Sequence, residues 1–367
     1  MNRRSFLGGA VAVPLAVAQG LPLPSSGIRL GIDAYSIRGL NWKALQLVEY
    51  ASSLKLDVLQ FSNLGSFESL DPAHLQKVRE AAAGARIGLE LGLGSICETS
   101  TSWRPTAGLP TPIDYLRKGI EVASALGAPN IKAYLGASPD RLTPVPLARH
   151  IDETLKTLKA VRSLAVDKGV KIAMENHSGD LQARELRDLI EAAGKDWVGC
   201  NLDSGNPMLS IEEPQFVLEM LGPYTLTTHI RDSVIFEHPR GAAWQWVALG
   251  DGCAVDWARF VTTFQKLCPN APFLLENITG RPPRVTPYHD PEFWKAFPNA
   301  RAADFAGFVR LAREGRPLMT QMVIGEGVGT VPEEYRAALV QQQRYDFERG
   351  IAFAQKQLGL GVNCRAG

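Results

Sequence analysis

Residues 170–206 read VKIAMENHSGDLQARELRDLIEAAGKDWVGCNLDSGN. An apolar run, Val170 to Glu175, ends in a carboxylate. Ala183 to Ala193 has the apolar spacing of a helix that buries one face. A second apolar run, Trp197 to Leu202, ends at Asp203. This is a strand–helix–strand unit, and such units build parallel sheets with helices outside.

The same rhythm runs outward in both directions. Upstream, the predicted strands are 28–33, 57–61, 86–93 and 130–135. They alternate with helices at 42–54, 72–83, 112–126 and 147–168. Downstream come a helix at 214–221, a strand at 224–230, a helix at 257–267 and a strand at 272–276. Eight units over this length favour a closed (β/α)₈ TIM barrel over an open doubly wound sheet. No GxGxxG opens a helix, which argues against a dinucleotide-binding fold. After Glu276 the alternation stops. We expect a single barrel domain over residues 28–357, with 280–330 as a long loop-and-helix elaboration. Helices are predicted at 301–313 and 333–357, the latter a C-terminal helical extension. A barrel needs only one helix after its last strand, so the surplus should pack near the mouth or at a subunit contact of a homo-oligomer.

The N-terminus reads differently. Asn2-Arg3-Arg4-Ser5-Phe6-Leu7 precedes an uncharged, small and apolar stretch from Gly8 to Ala18. That stretch is too short to span a bilayer, and Pro14 interrupts it. Residues 1–20 are therefore expected to be a twin-arginine export signal, with a periplasmic product and no membrane span once it is removed. The formal net charge is +1, and loss of Arg3 and Arg4 makes it −1. No basic patch stands out, so nucleic acid is not expected as a partner. Among five cysteines there is no CxxC pair, which argues against a zinc-thiolate centre.

Four polar residues close successive predicted strands: Glu175, Asp203, His229 and Glu276. The C-terminal strand ends of a barrel converge on one mouth, where active sites lie. Three carboxylates brought together would repel one another strongly, and a dication resolves that conflict. Oxygen and imidazole donors suit one hard or borderline divalent ion. The expected ligands are these four residues, with manganese first and magnesium, cobalt or zinc as alternatives. A carboxylate near a metal-polarised carbonyl can take the weakly acidic neighbouring proton.

The segments Met174-Glu175-Asn176-His177, Asn201-Leu202-Asp203-Ser204-Gly205-Asn206, Thr228-His229-Ile230-Arg231-Asp232 and Leu275-Glu276-Asn277 resemble the metal motifs of the xylose isomerase-like barrels. More narrowly, the chain is similar to the sugar phosphate isomerase/epimerase group, which includes ketose 3-epimerases and inosose dehydratase. The resemblance implies one manganese-like ion on the Glu, Asp, His, Glu set. It also implies that the two glutamates act as acid and base on opposite faces of the substrate. Ketose 3-epimerases carry a histidine three residues after the metal aspartate, where this chain has Asn206. They also carry an arginine shortly after the metal histidine, and Arg231 lies two residues on.

Lys132, His177, Asn206, Arg231 and Glu90 are the expected substrate-binding residues, with Lys132 pairing with Glu90 as the alternative for both. Tyr35 and Trp103 are candidate stacking platforms, and His238, Tyr288 and His289 fall in the elaborated loops. The expected function is a metal-dependent isomerase or epimerase working through an enediolate on a sugar or keto-sugar. The alternatives are a lyase or hydrolase on a 3-keto-glycoside and a non-catalytic sugar-binding barrel. An apurinic endonuclease would need more histidines than the six present and a basic surface. Replacing both Arg3 and Arg4 by lysine should block export by the folded-protein route. Precursor accumulation in cell fractions checks this, and continued export would remove the assignment.

Overall fold

The computed structural model describes residues 26–106, 108–325 and 329–365, so the expected export signal at 1–20 lies outside the described residues. Eight parallel strands form the central sheet: β1 (Leu30–Asp33), β2 (Val58–Phe61), β3 (Gly88–Ser95), β4 (Asn130–Tyr134), β5 (Lys171–Glu175), β6 (Val198–Asp203), β7 (Thr225–His229) and β10 (Phe273–Leu275). Their order is β10-β1-β2-β3-β4-β5-β6-β7. Just past β7, Ile230 closes the ring onto β10. Its N–H donates to the Leu274 carbonyl at 2.7 Å, and its carbonyl accepts from the Glu276 N–H at 3.0 Å. This is a TIM barrel. Closure needs small residues where strands crowd. A Cβ on Gly31 would lie 2.3 Å from the Val58 carbonyl oxygen.

The helices α1 (Ala44–Ser53), α2 (Pro72–Gly84), α3 (Pro112–Leu126), α4 (Leu147–Lys168), α5 (Ala183–Ala193), α6 (Pro214–Leu221) and α7 (Trp257–Leu267) follow the strands as the periodicity predicts. Proline at the first turn starts α2, α3 and α6. Left-handed glycines Gly127 and Gly169 end α3 and α4. The apolar faces join the barrel interior in one cluster that includes Leu30, Phe61, Leu91, Ile131, Ile172, Phe260 and Phe273. No helix among the described residues is long and apolar enough to cross a membrane.

Two expectations need correction. The connection after β7 is not a plain link to α7: it holds an antiparallel hairpin of β8 (Asp232–His238) and β9 (Gly241–Val247). The stretch after Glu276 is not only loop and helix either. Its β11 (Arg284–Thr286) pairs antiparallel with β9, completing a three-stranded second sheet. This sheet and α8 (Ala302–Glu314) bury their own apolar cluster, including Ile235, Trp244, Trp246, Phe297 and Phe308. The C-terminal helix α9 (Glu333–Gln357) buries Phe347, Ile351 and Ala354 against the barrel core. It thereby serves as the helix that follows the eighth strand.

The two ends of the described chain meet at Asp57. Its buried carboxylate accepts from the backbone N–H groups of Leu30 (2.7 Å), Val362 (2.9 Å) and Asn363 (2.6 Å). Asp57→Ala would orphan three donors in one step. Hydrogen bonds to a charged group are worth about 1.5–3 kcal/mol each, and relaxation at the chain end recovers part of the loss. We expect about 2–4 kcal/mol of destabilisation by that principle, read as a lower midpoint in denaturant unfolding.

Candidate active site

The barrel mouth collects the strand-end residues. Ligand-type atoms of Glu175, Asp203, His229 and Glu276 all lie within 4.8 Å of one another, and all four side chains are buried. Each is fixed by local hydrogen bonds. The Asn176 amide ties β5 to β6, donating to the Asp203 carbonyl and accepting from the Asp203 N–H, both at 2.8 Å. Asp203 Oδ1 accepts from the N–H groups of Gly205 and Asn206 at 2.7 and 2.8 Å. Its Oδ2 is buried and faces the Arg231 guanidinium. The Ser36 hydroxyl donates to the Leu275 carbonyl and accepts from the Asn277 N–H, which holds the chain on either side of Glu276.

His229 is oriented from behind. Gln60 donates its amide to Glu90 Oε2 at 3.1 Å, so its Oε1 is the atom turned to His229 Nε2, at 2.7 Å. That contact places a proton on Nε2. It points Nδ1 toward Glu175 Oε1 (3.3 Å) and Glu276 Oε2 (3.2 Å). Glu90 is therefore not a cavity residue, contrary to the sequence expectation. It accepts from Gln60, from Asn130 at 3.1 Å and from Thr227 at 2.5 Å, and burial raises its carboxyl. Nor does Lys132 pair with it. Lys132 Nζ faces Glu175 Oε2 at 3.3 Å.

The electrostatics follow from burial and opposing charge. Burial pushes the Asp203 carboxyl up to about 7, although Arg231 works against it. Burial would raise Glu276 too, but Arg231 and His229 hold it down to about 2. Glu175 is held well below its usual range by Lys132 and His229, against burial. Burial disfavours a charged His229, yet Glu276 and Glu175 raise its imidazole to about 10. A fourth carboxylate, Asp33 at the end of β1, joins the group. Its Oδ2 is 3.7 Å from His229 Nε2 and makes no hydrogen bond, and burial raises its carboxyl. With His229 neutral, as a metal ligand must be, four carboxylates face Lys132 and Arg231, an excess of two negative charges that a dication would balance. Ligands bonded at about 2.0–2.6 Å to one ion lie no more than about 5 Å apart. The four residues fit such an ion.

Arg231 bridges the centre to the second sheet. Its Nη2 is 2.9 Å from Asp203 Oδ2 and also contacts Glu276 Oε2, and its Nη1 donates to Asn206 Oδ1 at 3.3 Å. The Asn206 amide donates to Glu175 Oε1, also at 3.3 Å. The guanidinium carbon lies 4.9 Å from the centre of the Trp246 ring, and Trp246 Nε1 donates to the Gly205 carbonyl at 3.0 Å. Gly205 has to be glycine for this: a Cβ there would be 2.7 Å from Arg231 Cβ and 2.8 Å from Trp246 Nε1.

Above the centre is a cavity of about 280 Å³ lined by Asp33, Lys132, His177, Arg231, Trp246 and Glu276, among others. His177 stacks on Tyr134 with ring centres 3.6 Å apart, and its Nδ1 faces the Gly136 carbonyl at 2.6 Å. Tyr35 lines the cavity, whereas Trp103 packs beside Tyr115, which does line it. His238, Tyr288 and His289 are not among its walls. Tyr288 packs edge-on against Phe305 and Phe308 instead. Sequence reading missed Asp33, Gln60, Tyr134 and Trp246. Asp33 and Gln60 carried a signal, as polar residues in apolar strands whose neighbours are buried.

Residues 48–296 match the family model of the xylose isomerase-like TIM barrel, about two thirds of the chain. The chain belongs to the xylose isomerase-like TIM barrel family. The 3-oxo-isoapionate decarboxylase of Pectobacterium atrosepticum is 25% identical over 198 residues, which are 54% of this chain and 62% of the relative. The chain thus covers less than two thirds of the length of the curated relatives it matches. In fold it is similar to a D-psicose 3-epimerase, with a TM-score of 0.58 at 16% identity over 90% of this chain and all of the other. It is also similar to the 3-keto-D-glucoside 4-epimerase of E. coli, with a TM-score of 0.51 at 13% identity over 77% and 98% of the two chains. At these identities the likeness concerns the barrel alone.

Gln60→Leu should leave the four ligand side chains in place while removing the partner of His229 Nε2. Loss of such an orienting hydrogen bond typically costs about 10–100-fold in metal affinity. We expect a drop of that size for Mn²⁺ by calorimetric titration, and unchanged affinity would show that Gln60 does not orient the imidazole.

Proposed function

We propose that this protein is a divalent-metal-dependent enzyme that moves a proton at the carbon beside the carbonyl of a keto-sugar, with isomerisation or epimerisation as the outcome. One observation carries the reading: Glu175 and Glu276 approach the same His229 Nδ1 from different strands, at 3.3 and 3.2 Å, and Glu276 also lines the cavity. Glu175, Asp203, His229 and Glu276 would hold the ion, manganese in the first instance. Bound there, a dication supplies stabilisation of negative charge developing on the substrate's carbonyl oxygen.

The protein groups do the rest. One glutamate takes the proton on carbon, and the other returns a proton from its own side. Delivery to the same carbon on the opposite face inverts it, and delivery to the neighbouring carbon moves the carbonyl. Lys132 and Arg231 bring fixed positive charge to the buried wall, where substrate oxygens gain most from it. His177, on its Tyr134 platform, offers an imidazole at the rim.

A second reading, a lyase, is favoured by the decarboxylase relative. The same carbanion forms when carbon dioxide leaves or precedes loss of a leaving group from the next carbon. Asn206, a neutral amide turned to Glu175, cannot exchange a proton as a histidine at that position could. An exported enzyme is part of the proposal, on the strength of Arg3-Arg4 and the apolar stretch behind them. Sugar phosphates are mainly cytosolic, so an unphosphorylated oxidised sugar suits that location better.

The test is hydrogen exchange in D₂O. With Mn²⁺ and a 3-keto-sugar, the wild type should wash the hydrogen beside the carbonyl into solvent, read by NMR. Glu175→Gln and Glu276→Gln should each lower exchange by at least about 10²–10⁴-fold, the usual worth of a general base. Turnover with no deuterium entering substrate or product would turn the assignment toward a hydride shift or hydrolysis.

A further inference from the structure

A second cavity of about 290 Å³ adjoins the first, and the two share Tyr35, Ser62 and Asn63 as common walls. The second contains none of the cluster residues. Its walls include Ile37, Arg38, Trp42, Lys43 and Ser66, contributed by the turns after β1 and β2. Small-ligand sites run from about 300 to 1,000 Å³. The first cavity by itself is at the lower limit of that range, the size for one sugar ring. The second, of similar size, has room for another ring beside it.

The chemistry of the second cavity is specific. No carboxylate lines it. The Trp42 indole is held edge-on against Tyr50, ring centres 5.1 Å apart, and offers an apolar surface on a fixed support. The Arg38 guanidinium stacks 4.4 Å from the centre of the Tyr35 ring, so the side chain at the divide is held from one side. Asn63 Oδ1 accepts from the Gly65 N–H at 2.8 Å, which leaves the Asn63 amide nitrogen to donate at the junction. Lys43 Nζ donates to the Gly65 carbonyl at 2.6 Å and braces the outer wall. Aromatic surface combined with donors, and no buried anion, suits a ring that is apolar on its faces and rich in acceptor oxygens at its edge. That is the character of a sugar ring.

We infer that the substrate is a glycoside whose keto-sugar ring lies over the acidic cluster and whose second sugar ring, joined through a glycosidic bond, fills the cavity between Tyr35, Trp42 and Asn63. This rests on the proton-transfer reading for which ring lies at the cluster, while the second subsite is a matter of binding alone. The glycosidic oxygen then passes Tyr35, Ser62 and Asn63.

The test separates binding from chemistry. Unoxidised disaccharides (trehalose, maltose and cellobiose) and the two methyl glucosides carry no ketone, so they bind without reacting. Titrated calorimetrically into the Mn²⁺-loaded wild type, at least one disaccharide should bind tenfold or more tighter than the better methyl glucoside. Ser66→Phe projects a ring into the second cavity only, and Asn63→Ala removes the junction donor. Each should bring the ratio toward one, with thermal melting confirming the fold. Equal affinity of disaccharides and methyl glucosides for the wild type would overturn the inference. So would a preference that survives in both variants. A preference that is intact and Ser66-dependent, beside a complete lack of deuterium exchange on the keto-sugars, would keep the second subsite and discard the proton transfer.

Discussion

Four carboxylates buried at one barrel mouth are the constraint on which the rest of the structure depends. Asp33, Glu175, Asp203 and Glu276 are buried, so solvent screens their charges little. Every neighbour is an answer to that problem. Lys132 faces Glu175, Arg231 lies against Asp203 and Glu276, and His229 is raised to about 10 by the carboxylates around it. Even so, negative charge exceeds fixed positive charge. A protein selected for stability alone would not retain this arrangement, because replacing buried charge with apolar packing is often neutral or stabilising. The excess is intelligible if a cation is part of the working state.

The second sheet is tied to that same constraint. Arg231 is the point where the barrel strand β7 hands over to the hairpin, and its guanidinium lies on Trp246 of β9. The indole is fixed in turn by the Gly205 carbonyl, two residues past Asp203. The elaboration is thus connected to two of the proposed ligands by direct contacts. Through Trp246 it also contributes to the wall of the cavity that His177 and Lys132 line.

How legible this was depended on the range of the interactions involved. Strand–helix alternation is written in local periodicity, so the barrel and most helix boundaries could be read directly; α3, α4, α5, α6, α7 and α9 begin and end where the spacing predicts. The strand-end quartet was legible because a carboxylate or imidazole that closes an apolar run is conspicuous, and the barrel topology brings those ends together. The hairpin Asp232–Val247 broke the alternation and was absorbed into a connection. Its strands pair with each other, and β9 also pairs with Arg284–Thr286, about forty residues away, a partner that no local signal announces. Glu90 was misplaced for a similar reason. A glutamate in a strand can point to the cavity or to the layer beneath, and only the register of β2 against β3, which sets Gln60 opposite Glu90, decides it. The result is a carboxylate that acts on His229 through Gln60.

The choice between moving a proton and losing a group lies outside the quartet. The proposed proton transfer and its lyase alternative would both begin by placing electrons on a carbon beside a carbonyl, and the same buried cluster would serve each. The product depends on whether a proton donor or a departing group is nearest that carbon's neighbour. On this chain the amide of Asn206 lies against Glu175, with Arg231 on its oxygen, so that position neither gains nor loses a proton. On the proposed reading, proton return would then fall to the glutamates, or to His177 at the rim. If return is slow on one face, a group on the adjacent carbon has time to leave, and elimination competes with inversion. A substrate that reaches past Tyr35 would carry such a group at the junction of the two cavities, where Ser62 and Asn63 are the polar side chains shared by both. On this proposal the outcome would be set by the walls of the cavity, with the cluster supplying only the step that the outcomes have in common.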